Sequence, residues 1–310
     1  MLRSLRNITD FANTKGVIEI FAVIKLKHAV LAVLCCGAIL TGIFLHRSMT
    51  PVSGDNLTEG VYVPIFMYHS VLKNVASNEK YIVSLNNLED DIKYLKENGY
   101  NTVLFADLMN YVKNGAELPQ NPVMLTFDDG FYNNYAYLLP LLEKYNSKAI
   151  ISIVGDYTDT AAETPDKNPA YAYLDWEDCR TLLKSGHIEL QNHSYSMHNL
   201  KGNRRGCKKL SDESEEEYHK IFENDIGRLQ TKMHDELGIT PKLFTYPFGL
   251  ISDASLSAVK DMGFEGSLSC SEGVSLVTRE PECLYRLKRC NRVNNKGVRQ
   301  ILEELKKYMN

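Results

Sequence analysis

Short apolar runs alternate with amphipathic segments along most of the chain. Apolar side chains three or four positions apart, such as Leu88, Ile92 and Leu95, predict helices with one buried face. Residues 132–145 predict a further helix, which Pro140 interrupts. Buried strands are predicted at residues 61–69, 102–105, 123–129, 148–154, 188–193, 243–249, 266–270 and 284–289. Strands that alternate with helices are typical of a parallel α/β sheet or barrel.

The longest apolar run lies near the N-terminus, at residues 29–45. Its length approaches what is needed to cross a bilayer. Basic residues are concentrated before it, at Arg3, Arg6, Lys15, Lys25 and Lys27. Because basic residues favour the cytoplasmic side, this bias predicts a single-pass signal anchor with the rest of the chain outside the cytoplasm. A cleaved signal peptide is the competing interpretation, and whether the anchor is cut stays open.

The apolar run divides the chain into four predicted segments. These are a cytoplasmic segment at residues 1–28, a transmembrane signal anchor at 29–46, a polar linker at 47–60 and one α/β domain at 61–310. The chain has 310 residues and a net charge of −4, which gives no indication of nucleic-acid binding. The five cysteines outside the apolar run show no zinc-type spacing, and the sequence does not decide whether any of them form a disulfide.

Two adjacent carboxylates, Asp128 and Asp129, end the apolar strand that starts after Pro122. Neighbouring side chains on a strand point to opposite faces, so both can be used at one site only if the backbone bends there. Gly130 permits such a bend. The alternative is that one of the carboxylates caps a helix that starts near Phe131.

Histidines also follow predicted strands. His69 comes directly after the first strand, and His193 and His198 follow the strand at residues 188–192. One carboxylate and two imidazoles can hold a metal ion with positions left open for water and substrate. A second carboxylate can then remove a proton from the water. The alternatives are surface or capping polar residues and, for His69, a histidine satisfied within the core.

Three motifs resemble the successive motifs of the polysaccharide deacetylases, a family of carbohydrate esterases. The motifs are Thr-Phe-Asp-Asp-Gly at residues 126–130, His-Ser-Tyr-Ser-Met-His at 193–198 and Tyr-Pro-Phe-Gly at 246–249. The resemblance runs from about residue 62 to about residue 292. It implies a distorted (β/α) barrel of about seven strands, a divalent metal and hydrolysis of acetyl groups on a polysaccharide.

The resemblance also implies roles for individual residues. Asp129, His193 and His198 match the metal ligands, and Asp128 matches the catalytic base. The backbone N–H of Phe248, after Pro247, matches the oxyanion-hole donor, and Tyr246 and Phe248 would line the acetyl-group site. Zinc is the default metal for this ligand set, with cobalt and nickel as alternatives.

Three departures from the usual family pattern refine these expectations. The spacing of five between the two histidines resembles the branch that deacetylates poly-N-acetylglucosamine. Thr245 stands where many members carry an arginine that orients the base, and Arg286 or Arg289 could replace it. No histidine follows His234 to serve as general acid, so the resemblance to this branch assigns that role to His69, within Tyr-His-Ser-Val at residues 68–71.

The sequence therefore predicts a membrane-anchored, metal-dependent hydrolase of amide bonds. Its substrate would be an N-acetylated cell-wall or extracellular polysaccharide, deacetylated outside the cytoplasm. One alternative is an O-acetyl esterase that acts on xylan-type glycans with the same residues. The other is an inactive carbohydrate-binding protein on the same scaffold.

Overall fold

The computed structural model describes residues 59–200 and 202–309. The predicted cytoplasmic segment, the predicted anchor and most of the predicted linker lie outside these residues. Among the helices within the described ranges, none combines the length and the apolar character that crossing a membrane requires.

Twelve strands lie in the described ranges. They are β1 (Val61–Val63), β2 (Ile65–Tyr68), β3 (Ser70–Leu72), β4 (Ile82–Ser84), β5 (Asn101–Thr102), β6 (Pro122–Asp129), β7 (Ala149–Ile153), β8 (Ile188–Asn192), β9 (Leu243–Thr245), β10 (Gly266–Leu268), β11 (Ser275–Val277) and β12 (Cys290–Asn291). Seven of them form a parallel sheet in the order β10-β9-β8-β7-β6-β2-β12, and β5 pairs with β6 at its side. This sheet and its helices confirm the predicted α/β class with about seven barrel strands.

Eight α-helices accompany these strands in the described part of the chain. They are α1 (Leu85–Glu97), α2 (Phe105–Asn114), α3 (Leu139–Tyr145), α4 (Gly155–Glu163), α5 (Trp176–Lys184), α6 (Glu215–Leu237), α7 (Asp253–Asp261) and α8 (Val298–Met309). Local signals explain their ends: Ser214 accepts a hydrogen bond from the Glu217 N–H where α6 begins, and Gly238 adopts a left-handed conformation where it ends.

The central strands are buried on both faces. On β6, Leu125 and Phe127 pack into one hydrophobic cluster, whereas Met124 packs into another. The same alternation holds for Ile151 and Ile150 on β7. Two apolar faces explain why these strands are nearly continuous apolar runs in the sequence rather than alternating ones.

Two local predictions need correction. The last strand is not at residues 284–289 but at Cys290–Asn291, which pairs with Phe66 and Met67 of β2. The physical reason is Arg286, whose φ of 58° interrupts an extended backbone. The predicted helix at 132–145 continues past Pro140 without a break, because a π-helical stretch at Asn134–Leu138 leads into α3 and Pro140 lies in its first turn.

The sheet topology determines where the site forms. All strand pairs in the central sheet are parallel, so the carboxyl ends of β2, β6, β8 and β9 lie at the same edge. His69, Asp128, His193 and Thr245 lie at or directly after those ends. Arg289 directly precedes β12, the neighbour of β2 at the far end of the sheet.

Candidate active site

The bend that brings both carboxylates to one edge begins at Asp129. Asp129 and Gly130 both have left-handed backbones, with φ values of 74° and 71°. A non-glycine residue in this conformation is uncommon and costs conformational energy, which the surrounding structure must offset. At Gly130 a Cβ atom would lie 3.1 Å from Ile153 Cγ2, so glycine also fits the close approach of β7. The predicted bend is present, one residue earlier than glycine alone would have placed it.

Asp129, His193 and His198 come together at this edge. Asp129 Oδ1 lies 3.5 Å from His193 Nε2 and 3.1 Å from His198 Nε2. One ligand atom from each of the three residues lies within 4.8 Å of the others. Asp129 Oδ1 is buried and makes no hydrogen bond with good geometry. A carboxylate oxygen that faces two imidazole nitrogens without a hydrogen bond fits a bound cation, so the three residues suit the predicted metal.

The backbone carbonyl of Thr245 orients one of the two imidazoles. His193 Nδ1 lies 2.7 Å from Thr245 O, a distance at which Nδ1–H donates to the carbonyl. In the neutral ring this contact leaves the lone pair on Nε2, the atom that faces Asp129. Thr245, at the position where many family members carry an arginine, thus contributes its main chain to the site.

The two histidines of this set have opposite pKa shifts. Burial and the charge of His193 lower the pKa of His198 to about 4, so its ring is neutral at pH 7. Burial also acts to lower the pKa of His193, but the nearby Asp129 carboxylate and the charge of Asp128 outweigh it, and that pKa is raised. A metal at this site must therefore compete with a proton on His193 but not with one on His198.

A carboxylate on α6 holds the loop between the two histidines. Asp225 Oδ1 accepts the Tyr195 N–H at 2.9 Å, and its Oδ2 accepts the N–H and the hydroxyl of Ser196 at 3.0 and 2.8 Å. Three hydrogen bonds to one side chain fix the segment that determines the separation of His193 and His198. The sequence analysis did not identify Asp225, because nothing distinguishes it from the other acidic residues of a polar helix face.

Tyr157 on α4 was also not predicted. Its hydroxyl donates to the His198 carbonyl at 3.1 Å and lies 3.4 Å from His198 Nδ1. Tyr157 therefore holds His198 by its backbone carbonyl, and Asp225 holds the loop that precedes it. No motif marks Tyr157, since it lies at an ordinary position in the first turn of a helix.

Asp128 forms a buried, bidentate ion pair with Arg289. Nη1 and Nη2 of Arg289 donate to Oδ1 and Oδ2 of Asp128, both at 2.8 Å. Burial acts to raise the pKa of Asp128, but the charges of Arg289 and His193 outweigh it, so the pKa lies well below its ordinary value. Of the two candidate arginines, only Arg289 contacts Asp128 within the described residues; Arg286 lies in a left-handed turn and donates its backbone N–H to Ser267 Oγ.

His69 lies on the other side of Asp128. Its Nε2 is 3.9 Å from Asp128 Oδ2, and its ring meets Tyr81 edge to face at 5.0 Å between centroids. Asn134 donates to the His69 carbonyl at 3.1 Å, from within the π-helical stretch. Burial lowers the pKa of His69, although the charges of Asp128 and Asp129 oppose that effect. The ring is thus neutral near pH 7 unless a bound substrate changes its surroundings.

The turn after β9 places Phe248 next to the metal set, which consists of Asp129, His193 and His198. Phe248 has a φ of 57°, and its ring lies 4.4 Å from that of His198. None of the hydrogen bonds in the described part of the chain uses the Phe248 N–H, which leaves this donor available to a ligand. Pro247 is buried and begins the turn. The Tyr246 side chain is fully buried, with its ring centroid 4.9 Å from that of Phe244. Its place in the acetyl-group site stays a prediction.

Comparison with known proteins identifies the family. The family model for polysaccharide deacetylase matches residues 115–267. The match contains the two aspartates of β6, both histidines of the metal set and the turn after β9. These residues form a polysaccharide deacetylase domain, as the three motifs predicted.

Two curated relatives and one solved structure are consistent with this assignment. The poly-β-1,6-N-acetyl-D-glucosamine N-deacetylase of Escherichia coli K12 is 23% identical over 257 residues, which is 77% of this chain but only 38% of that protein. The protein of the same name from Staphylococcus aureus MRSA252 is 27% identical over 194 residues, 63% of each chain. The structure of a de-N-acetylase from Aggregatibacter actinomycetemcomitans matches with a TM-score of 0.66 at 24% identity, covers 78% of this chain and 99% of its own, and supports the fold. The names agree with the predicted class of enzyme, a hydrolase of amide bonds.

Proposed function

We propose that this chain is a metal-dependent N-deacetylase that acts on an N-acetylated polysaccharide of the poly-N-acetylglucosamine type. One observation carries the proposal. The set of Asp129, His193 and His198 lies directly beside Asp128, an ionised carboxylate held by Arg289. The names of the two curated relatives support the choice of substrate.

The metal set and the Asp128 carboxylate have different roles in the proposed mechanism. Asp129, His193 and His198 would hold a divalent cation, which would supply a Lewis acid for a carbonyl oxygen and for water. Zinc suits two imidazoles and a carboxylate, and cobalt and nickel are the alternatives. Asp128 is the base: its lowered pKa keeps it ionised at neutral pH, and Arg289 fixes both of its oxygens.

Two further groups complete the proposed mechanism. The Phe248 N–H donates to the oxygen of the acetyl group as negative charge develops on it. His69 donates a proton to the departing nitrogen, because an amine cannot leave as an anion near neutral pH. Since burial lowers the pKa of His69, it must gain its proton in the substrate complex, where the nearby carboxylates favour the charged ring.

The proposed location follows from the N-terminal sequence alone. Residues 29–46 would anchor the chain in the cell membrane as a single span, with the domain outside the cytoplasm. A polymer of the cell envelope is then within reach of the site. Fractionation of cells, with protease added to intact spheroplasts, tests this placement.

The first experiment measures acetate release from β-1,6-linked N-acetylglucosamine oligomers. The chain is assayed free of metal and then with zinc, cobalt or nickel. His193→Ala removes one predicted ligand, and His234→Ala is the matched control, because His234 is exposed on α6. We expect metal-dependent release that His193→Ala abolishes and His234→Ala retains.

The other outcomes each select a different conclusion. Release from acetylated xylan but not from the N-acetylated oligomers would assign an O-acetyl esterase. Binding of oligomers without release from any substrate would assign a carbohydrate-binding protein. A chain that binds no divalent metal would overturn the proposal.

A further inference from the structure

A shallow cavity of about 290 Å³ opens beside the candidate active site. It lies between α4 and the segment that leads to α5. Its wall is made mainly of tyrosine rings and small or polar side chains: Tyr157, Thr160, Thr164, Asp166, Tyr171 and Tyr173. None of the residues that line it carries a positive charge.

Aromatic rings connect this cavity to the metal set. Tyr157 contacts His198 through its hydroxyl, and its ring centroid lies 4.4 Å from that of Tyr173. Tyr173 in turn stacks on Phe131, with centroids 5.0 Å apart and an interplanar angle of 22°. Phe131 follows the bend at Asp129 and Gly130. The row of rings therefore begins and ends at residues next to the proposed metal ligands.

Backbone hydrogen bonds to residues 130–132 fix the segment at residues 171–174, which contains Tyr171 and Tyr173. Tyr132 N–H donates to Ala172 O, and Leu174 N–H donates to Gly130 O, both at 2.8 Å. Tyr171 is 59% exposed, yet its hydroxyl donates to Asp166 Oδ2 at 2.6 Å. An exposed ring held in this way loses little further freedom when a ligand packs on it.

We propose that Tyr157, Tyr171 and Tyr173 form a subsite for a neutral pyranose unit of the polymer, next to the unit whose acetyl group is removed. The inference rests on the proposed function and names how the same site would recognise its substrate. The C–H face of a pyranose ring packs well on an aromatic face, and a concave aromatic wall with a few polar groups is typical of ligand sites. The hydroxyls of Thr160 and Thr164 and the Asp166 carboxylate can bond sugar hydroxyls.

The charges around the cavity select this occupant over an anionic one. Lys167, which follows Asp166, pairs with Asp175 and Asp178 rather than with the cavity. A phosphate or uronic acid would thus meet the Asp166 carboxylate without a cation to balance it. A neutral sugar meets no such repulsion.

The test compares a long substrate with one that has no second sugar. Tyr171→Ala and Tyr173→Ala are assayed on an N-acetylglucosamine pentamer and on 4-nitrophenyl acetate, each with the metal-loaded chain. Tyr308→Ala is the control, because Tyr308 is 56% exposed on α8, outside the cavity wall. We expect kcat/KM for the pentamer to fall about tenfold in both cavity variants, which corresponds to about 1.4 kcal/mol. Activity on the aryl ester, and both activities of Tyr308→Ala, should stay within about twofold of wild type.

The remaining outcomes would overturn the subsite. An equal loss on both substrates would assign the tyrosines a structural role, and no loss on either would remove them from substrate recognition. If the wild-type chain releases no acetate, the proposed function fails, and the subsite is then tested by calorimetric titration of the metal-free chain with the pentamer. An affinity about tenfold weaker in Tyr171→Ala supports the subsite, whereas equal affinities contradict it.

Discussion

Two buried aspartate–arginine pairs lie on opposite sides of the last strand. Arg289 precedes β12 and pairs with Asp128 at the candidate active site. Arg292 follows β12 and pairs with Asp91 of α1, with Arg292 Nε 2.6 Å from Asp91 Oδ2. All four side chains are almost completely buried. The chemistry of the two pairs is the same, but their surroundings differ.

The difference lies in how much positive charge surrounds each carboxylate. Asp128 receives both prongs of Arg289 and lies near His193 and His69, and together these outweigh burial and lower its pKa. Burial raises the pKa of Asp91, although Arg292, the Val298 N–H and the Tyr68 hydroxyl oppose that effect. Asp91 holds together α1, β2 and the start of α8. One pair keeps the proposed base ionised, and the other joins structural elements.

The largest expected difference between the pairs is in catalysis. Asp128→Asn should lower kcat for oligomer deacetylation by about 10²–10⁴-fold, because the proposed base is lost while Asp129 and both histidines remain to bind metal. Asp91→Asn should leave kcat per folded molecule within about twofold, because Asp91 accepts hydrogen bonds from Tyr68, Arg292 and Val298 rather than from the proposed site residues. Steady-state kinetics, with the folded fraction and bound metal measured for each variant, test this contrast. An equal loss of kcat in both variants would show that the pairs do not differ in function.

The second prediction concerns stability and its pH dependence. At pH 7 each Asp→Asn change leaves a buried arginine unpaired and should lower the free energy of unfolding by about 3–5 kcal/mol. The pH trends should then differ, because linkage follows the direction of each pKa shift.

The signs follow from the two pKa values. The lowered pKa of Asp128 means that its contribution is complete above the ordinary value of 3.8 and is lost only as pH falls through the lowered value. The raised pKa of Asp91 means that the folded state binds the extra proton, so the wild type gains stability relative to Asp91→Asn as pH falls through that raised value. Urea unfolding between pH 7 and pH 3 measures both differences. Parallel trends for the two variants would contradict this account.

A third prediction concerns metal affinity and the loop between His193 and His198. Asp225→Asn should weaken zinc binding about 10–100-fold, because an amide can replace only part of the three hydrogen bonds that hold Tyr195 and Ser196. Asp235→Asn is the matched control on the same helix, since Asp235 is exposed and pairs with its neighbour His234. Competition with a chelating dye measures the affinities. Equal affinities in the two variants would exclude the positioning role of Asp225.

The smallest effect is the pH dependence of metal binding. Because the pKa of His193 is raised, its proton competes with the metal as pH falls through that pKa, and zinc affinity should decline by up to about tenfold per pH unit below it. The pKa of His198, lowered to about 4, adds no competition between pH 7 and pH 5. Dye competition across this range reports the slope. An affinity that does not change with pH would contradict the assignment of His193 as a ligand.

The sequence predicted the parts of the site that lie at strand ends. A buried parallel strand is a continuous apolar run, and Asp128, His69 and His193 each lie at or directly after such a run. The sheet then brings them together, because its strands are parallel. The fold class and the closeness of Asp129 to His193 were predictable for this physical reason.

Other parts of the site depend on tertiary contacts that no local pattern reveals. Arg286 and Arg289 were equal candidates in the sequence, and the left-handed turn at Arg286 separates them. That turn also made the strand at residues 284–289 a wrong prediction. Asp225 acts through hydrogen bonds to a loop distant in the sequence, and Tyr157 through a contact with His198, so neither carries a signal in the sequence. The motif could not reveal that the Tyr246 ring is buried.

The pairing of β12 with β2 has a consequence for synthesis of the protein. A ribosome produces the chain from its N-terminus, so His69 and Asp128 emerge long before Arg289. Until then the Asp128 carboxylate has no guanidinium partner, and burying it alone is costly. A nascent or truncated chain that lacks residue 289 therefore lacks the group that pairs with Asp128. Assembly of the site therefore waits for the synthesis of Arg289.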